Sequence, residues 1–179
     1  MLNIKMICVG KLKQQFYTDA SKEYEKRLSS YCKLEIQEIP EHRLPAGSEQ
    51  STINNVKCQN EDGKPKKQNA QIEIGLDKER VAIEKAIPAG ALTVALCIEG
   101  RQMDSNGFSE FLTGCAVHGT SRLCFVIGGS FGLHDEIKKS ADIQLSMSKM
   151  TFPHNLARIL LLEQLYRAFK ITEGGKYHK

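Results

Sequence analysis

Between residues 122 and 169 the chain runs twice through one succession: apolar strand, irregular loop, helix. In the first pass, residues 123–127 form a short apolar run rich in β-branched and aromatic side chains. It is halted by Gly128 and Gly129 and taken up after Gly132 as a helical pattern through Lys139. In the second, residues 143–147 alternate like a strand, residues 148–153 are polar and irregular, and a long helix follows from His154 to about Ile171. Pro153 suits a first helical position, where its missing N–H costs nothing. Units of this kind build parallel sheets, and in open α/β sheets ligands bind at the carboxyl edge, where such loops emerge. Glycines there allow positive φ and close approach of a ligand to the main chain, although a GGSFG loop by itself reads equally well as a tight turn without a ligand.

The rest of the chain repeats the alternation. Residues 4–9 read as a strand ending at Gly10, residues 16–30 as a helix, and residues 34–39 as a strand stopped by Pro40. Residues 77–87 read as a helix capped by Asp77 and closed by Pro88. Residues 92–98 form a strand, with Glu99 and Gly100 as a third loop on the sheet edge, and residues 108–117 a helix. The order predicts an α/β fold, a mainly parallel sheet with helices on both faces. One stretch breaks the pattern. From about residue 41 to 74 Ser, Asn, Gln, Lys and Gly dominate, and residues 47–74 are expected to be a flexible polar insertion. The basic cluster Lys64, Lys66 and Lys67 within it reads as a solvated run, with RNA contact as the alternative.

At 179 residues the chain suits one core, so residues 1–179 are expected to be a single domain. No window approaches the roughly 20 apolar residues of a membrane span. The opening MLNIKMICVGK enters a strand without a signal-peptide core, so a cytoplasmic protein without membrane contact is expected. Six cysteines make no CxxC pair and no metal-ligand spacing with the five histidines; they read as reduced structural thiols, with no metal site. The net charge of +4 permits a polyanionic partner without requiring one. Neither a phosphate-binding G-x-x-x-x-G-K-[ST] nor a dinucleotide G-x-G-x-x-G nor a G-x-S-x-G elbow occurs.

In the last helix Leu161, Leu162, Leu165 and Phe169 form an apolar stripe with Arg158 in its midst, while Glu163, Arg167 and Lys170 lie on the opposite side. A guanidinium so placed must be paired or must face a polar cavity. Arg158 is therefore read either as a structural salt bridge or as an arginine lining a site beside the loop ending at Pro153.

Taken together, VGKLK with the following EYEKRL, VIGGSFGLH, LSMSKMTFPH, EQLYRAFKI and the terminal YHK resemble the ribosomal RNA large-subunit methyltransferases H, the RlmH family of the SPOUT class. The resemblance covers nearly the whole chain outside residues 47–74. It implies a C-terminal deep trefoil knot, a homodimer, and S-adenosylmethionine held in the knot. It further implies methylation at N3 of a pseudouridine in a loop of large-subunit (23S) ribosomal RNA on assembled ribosomes. Carried onto this chain, the cofactor contacts are Leu96, Gly128, Met147, Ser148, Lys149, Met150, Thr151 and Phe152, all on the three loops already placed at one sheet edge.

N3 of a uracil-type ring carries a proton and is a poor nucleophile until it leaves. His154, at the start of the last helix, is read as a proton-handling group or as a structural hydrogen-bonding one. Arg158 is a candidate to stabilise charge developing on the base. Tyr177 and His178, in the tail, are read as a frayed terminus or, by the resemblance, as active-site residues with His178 accepting the N3 proton. The rival expectations are a ribosome-binding dimer without transfer, and a SPOUT methyltransferase with another RNA target.

Overall fold

The computed structural model describes residues 1–42 and 66–174, with side chains from Ala70 onward in the second stretch. Five strands and five helices alternate: β1 (Leu2–Val9), α1 (Gln15–Leu28), β2 (Cys32–Ile39), α2 (Lys66–Ala86), β3 (Leu92–Gln102), α3 (Ser105–Val117), β4 (Arg122–Ile127), α4 (Asp135–Ser140), β5 (Ile143–Ser146) and α5 (His154–Thr172). The strands form one sheet in the order β2-β1-β4-β3-β5, and each neighbouring pair is parallel.

Alternation along the strands divides the interior into two layers, because successive side chains point to opposite faces. Ile4, Met6, Cys8, Leu123, Phe125 and Ile127 face one side, where they meet Leu161, Leu162 and Leu165 of α5 and Phe108 and Leu112 of α3. Ile7, Val9, Cys124 and Val126 face the other, against Ile83 of α2 and Ile137 of α4. β1 and β4 are thus apolar on both faces, as strands covered by helices on both sides must be. On the first layer the turn after α1 joins α5 through Tyr31, whose ring stacks on Phe169 at 5.5 Å and 12°. The Asp104 side chain caps α3 by accepting from the Gly107 N–H at 2.7 Å.

Four local expectations are corrected. α2 begins at Lys66, not at Asp77, so residues 66–74 of the expected insertion are helical and Asp77 lies inside the helix, paired with Arg80 at 2.7 Å. Polar composition concealed good helix formers there, Lys, Gln, Ala and Glu. Gly75 sits where an added Cβ would come 3.3 Å from the His42 ring. Residues 47–65 lie outside the described residues. Second, Glu99 and Gly100 are not a loop beyond β3. The strand continues through them to Gln102, and Leu96 and Arg101 both pair with Leu145, so the intervening residues bulge. A Cβ at Gly100 would lie 2.6 Å from the Gln144 carbonyl carbon, so only glycine lets the bulge close against β5. Third, α4 starts at Asp135, with the His134 ring accepting from the Glu136 N–H. Fourth, Pro153 is the residue before α5, with extended ψ of 138°, not its first helical residue.

Candidate active site

Sheet register brings the three expected cofactor segments together. Leu96 pairs with Ile127 on one side and with Leu145 on the other, so the β3 bulge, the glycine loop after β4 and the 147–153 loop after β5 leave adjacent strands at one level. Gly128 is buried and tightly enclosed: an added Cβ would fall on the backbone of Gly132. The loop closes through a Gly132 N–H bond to the Gly129 carbonyl at 3.0 Å, with Gly132 at φ 81°. In the next loop the Ser146 hydroxyl donates to the Ser148 carbonyl at 2.9 Å, and the Ser148 hydroxyl accepts from the Met150 N–H at 3.0 Å. Met147 and Ser148 are half-buried, whereas Lys149, Met150, Thr151 and Phe152 are exposed.

Four apolar side chains stand in solvent on these segments: Ile98 on the bulge, Phe131 on the glycine loop, and Met150 and Phe152 on the third. Exposed apolar groups gathered around backbone loops suit a ligand with an apolar, partly planar body. Such apolar side chains beside open loop backbone are a lining that a nucleoside-type cofactor could use. Among the described residues no three His, Cys, Asp or Glu side chains form a metal-binding group.

The 147–153 loop also carries the chain inward. β5 is the edge strand, yet His154 packs on the end of β1, where a Cβ on Gly10 would lie 3.1 Å from its Nε2. Three strand steps separate these points, about 14 Å at the usual spacing. Gly10 holds φ 90°, a conformation that favours glycine in any case. One turn further, Arg158 is only 7 % exposed, and its Nη1 donates to Glu38 Oε1 at 2.7 Å. Its Nε is buried without a hydrogen-bond partner. Burial pushes the nearby Cys8 thiol up to about 12, against the pull of Arg158.

His154 and Arg158 thus face the β1–β2 half of the carboxyl edge, and the segments expected to hold a cofactor occupy the β4–β3–β5 half. Tyr177 and His178 lie outside the described residues. Sequence reasoning missed two carboxylates, Glu38 at the end of β2 and Glu41 just beyond it. Glu41 Oε1 accepts from both the N–H and the hydroxyl of Ser130, at 2.8 and 2.6 Å. Their position at the carboxyl end of a strand was the available signal.

Comparison with known proteins supplies the family. Residues 2–178 match the family model described as "Predicted SPOUT methyltransferase". The chain is 42% identical over 178 residues to "Ribosomal RNA large subunit methyltransferase H 1" of Clostridium perfringens, covering 99% of this chain and 100% of that one. It is 40% identical, with the same coverage, to "Ribosomal RNA large subunit methyltransferase H" of Streptococcus pyogenes. The fold is similar to a probable methyltransferase from Bordetella pertussis (TM-score 0.54, 14% identity, 93% of this chain and 94% of that one). It is also similar to a probable methylase family protein from Haemophilus influenzae (TM-score 0.52, 12% identity, 99% and 70%). With a matched model over nearly its full length and full-length relatives at this identity, the chain belongs to the SPOUT methyltransferase family.

Proposed function

We propose that this protein methylates large-subunit ribosomal RNA, at N3 of a pseudouridine in a loop of the 23S molecule on assembled ribosomes, using S-adenosylmethionine. The observation that carries the reading is the register of β3: one residue, Leu96, is hydrogen-bonded to the strands that feed both other cofactor segments. The names of the relatives support the substrate class. The reading includes one knotted domain, a homodimer, and a cytoplasmic setting among ribosomes. Among the described residues no helix is long and apolar enough to cross a membrane.

S-adenosylmethionine supplies an electrophilic methyl group when bound. Leu96, Gly128 and the segment Met147, Ser148, Lys149, Met150, Thr151 and Phe152 would hold it, their backbone groups serving its polar edges and the exposed Met150 and Phe152 its apolar parts. An RNA loop suits the reaction because an unstacked base offers its Watson–Crick edge. As the new bond from N3 to carbon forms, the methyl group's bond to sulfur breaks and the N3 proton must leave; by the family resemblance Tyr177 and His178 belong to the site, with His178 as the proton's acceptor. Arg158 stabilises negative charge on the ring, and His154, packed beside Gly10, is the second group that can handle protons. Holding N3 in line with the methyl group provides the entropic part of the rate.

The test is transfer of labelled methyl to ribosomes lacking the modification, with isolated ribosomal RNA in parallel and the product nucleoside identified by mass. A methylated pseudouridine on intact ribosomes is expected. Cofactor binding without transfer to either substrate would instead support another RNA target or a binding protein. Deleting residues 177–179 should spare folding and cofactor binding while abolishing transfer; an active truncated enzyme removes the tail from the mechanism.

A further inference from the structure

We infer that Glu41, outside the three cofactor segments, is a positioning residue that sets the glycine loop in its cofactor-holding shape. The inference rests on the S-adenosylmethionine reading above. The loop between residues 128 and 132 contains three glycines, and such a sequence has many backbone conformations to choose among. Its apex, Ser130, is exposed, and both of its hydrogen bonds run to one carboxylate oxygen, Glu41 Oε1. A charged acceptor taking a backbone N–H and a hydroxyl of the same residue fixes the apex in position and orientation.

Two features show that the surroundings accommodate this carboxylate. A Cβ on Gly129 would come 3.0 Å from Glu41 Oε1 and 3.0 Å from Val9 Cγ1, so glycine there leaves the space the side chain uses. On the far side, a Cβ on Gly10 would lie 3.8 Å from Glu41 Oε2 and 3.1 Å from His154 Nε2, so carboxylate and imidazole share the space over Gly10. The turn bearing Glu41 is itself held. The next N–H, of His42, donates to Glu79 Oε1 at 2.7 Å, and Glu79 is buried on α2. The bracket therefore ties the glycine loop through residues 41 and 42 to a helix on the opposite side of the sheet from α5.

The experiment compares full-length wild type with Glu41→Ala, Glu41→Gln and Ser130→Ala. It measures amide exchange of residues 129–132 without cofactor, S-adenosylmethionine affinity by calorimetry, and kcat and KM for transfer. Glu41→Ala is expected to speed exchange at the Ser130 amide and to weaken cofactor affinity about tenfold, the scale of losing charge-assisted bonds that are partly open to water. Cofactor KM rises in step while kcat at saturation stays within about twofold. Glu41→Gln restores most of the affinity, because its carbonyl oxygen accepts the same two bonds, and Ser130→Ala falls between. Unchanged affinity in Glu41→Ala overturns the inference even if the loop exchanges faster. So does a Glu41→Gln protein as impaired as Glu41→Ala, since that assigns the effect to charge and not to the bracket. A wild-type chain that binds no S-adenosylmethionine refutes the cofactor reading itself, and the inference with it.

Discussion

The Glu38–Arg158 pair predicts an asymmetry that can be measured. The two partners are buried unequally: the Arg158 side chain is 8% exposed and that of Glu38 31%, across a 2.7 Å contact. Glu38→Gln removes the charge from the wetter side and strands a guanidinium whose Nε already lacks a partner. Breaking a buried pair this way costs about 3–5 kcal/mol, and the partial exposure of Glu38 brings the expectation down to about 2–3 kcal/mol. Arg158→Met keeps an unbranched apolar stem beside Leu161 and Leu162 and leaves a carboxylate that can turn to water, for a cost of about 1 kcal/mol or less. The double variant should lie close to Arg158→Met alone, giving a coupling of about 2–3 kcal/mol, the whole cost of Glu38→Gln. Urea denaturation at fixed protein concentration reads these differences as midpoint shifts at constant slope. For a chain of this size Glu38→Gln should lower the melting temperature by about 6 °C. If Arg158→Met is as destabilising as Glu38→Gln, unequal burial does not govern the pair and the reasoning fails. The same variant separates structure from chemistry. Folded and cofactor-binding Arg158→Met should lose transfer by at least about tenfold, and full transfer would exclude the guanidinium from the reaction.

Other expectations follow from single positions. Gly128→Ala puts a methyl onto the Gly132 backbone, so the loop must open, at a cost of about 1–3 kcal/mol and with lost cofactor affinity; an unchanged melting curve would refute the close packing. Burial raises the Glu79 carboxyl above its ordinary 4.5, partly offset by the His42 N–H. The folded protein therefore favours the protonated form, and stability is lost as pH rises through that range. Glu79→Gln keeps an acceptor for His42 and should raise the melting point at pH 7, with the gain fading as pH falls toward about 4.5 and absent below it; no gain at pH 7 contradicts the burial cost. Cys8, raised from 9.0 to about 12 by burial, holds its proton longer folded than unfolded, so its contribution to stability declines from pH 9 toward 12. Iodoacetamide at pH 8 should spare Cys8 in native protein; rapid alkylation there would contradict its burial.

How much of this was legible in the sequence depended on the range of the interactions concerned. Local periodicity determined the β-α order, the apolar run of β4 and the glycine loop, because strand and helix patterns are properties of adjacent residues. The same short range misled where composition and conformation diverge. The polar residues 66–74 continue into a helix, and Glu99 and Gly100 lie within a bulged strand, not in a loop. For the candidate site, a charge at Arg158 on an apolar stripe already required a partner, but nothing local could name Glu38, 120 residues away. Nor could it name Glu41 as the acceptor for Ser130, 89 residues on. The sequence by itself determined the elements, and the family they belong to, through motifs that each lie within a few residues. Only the tertiary structure decided the strand order, the level at which the β3 bulge and two loops meet, and which carboxylate faces which donor. Those depend on hydrogen-bond register and burial between segments distant in the chain, where no local pattern records the partner.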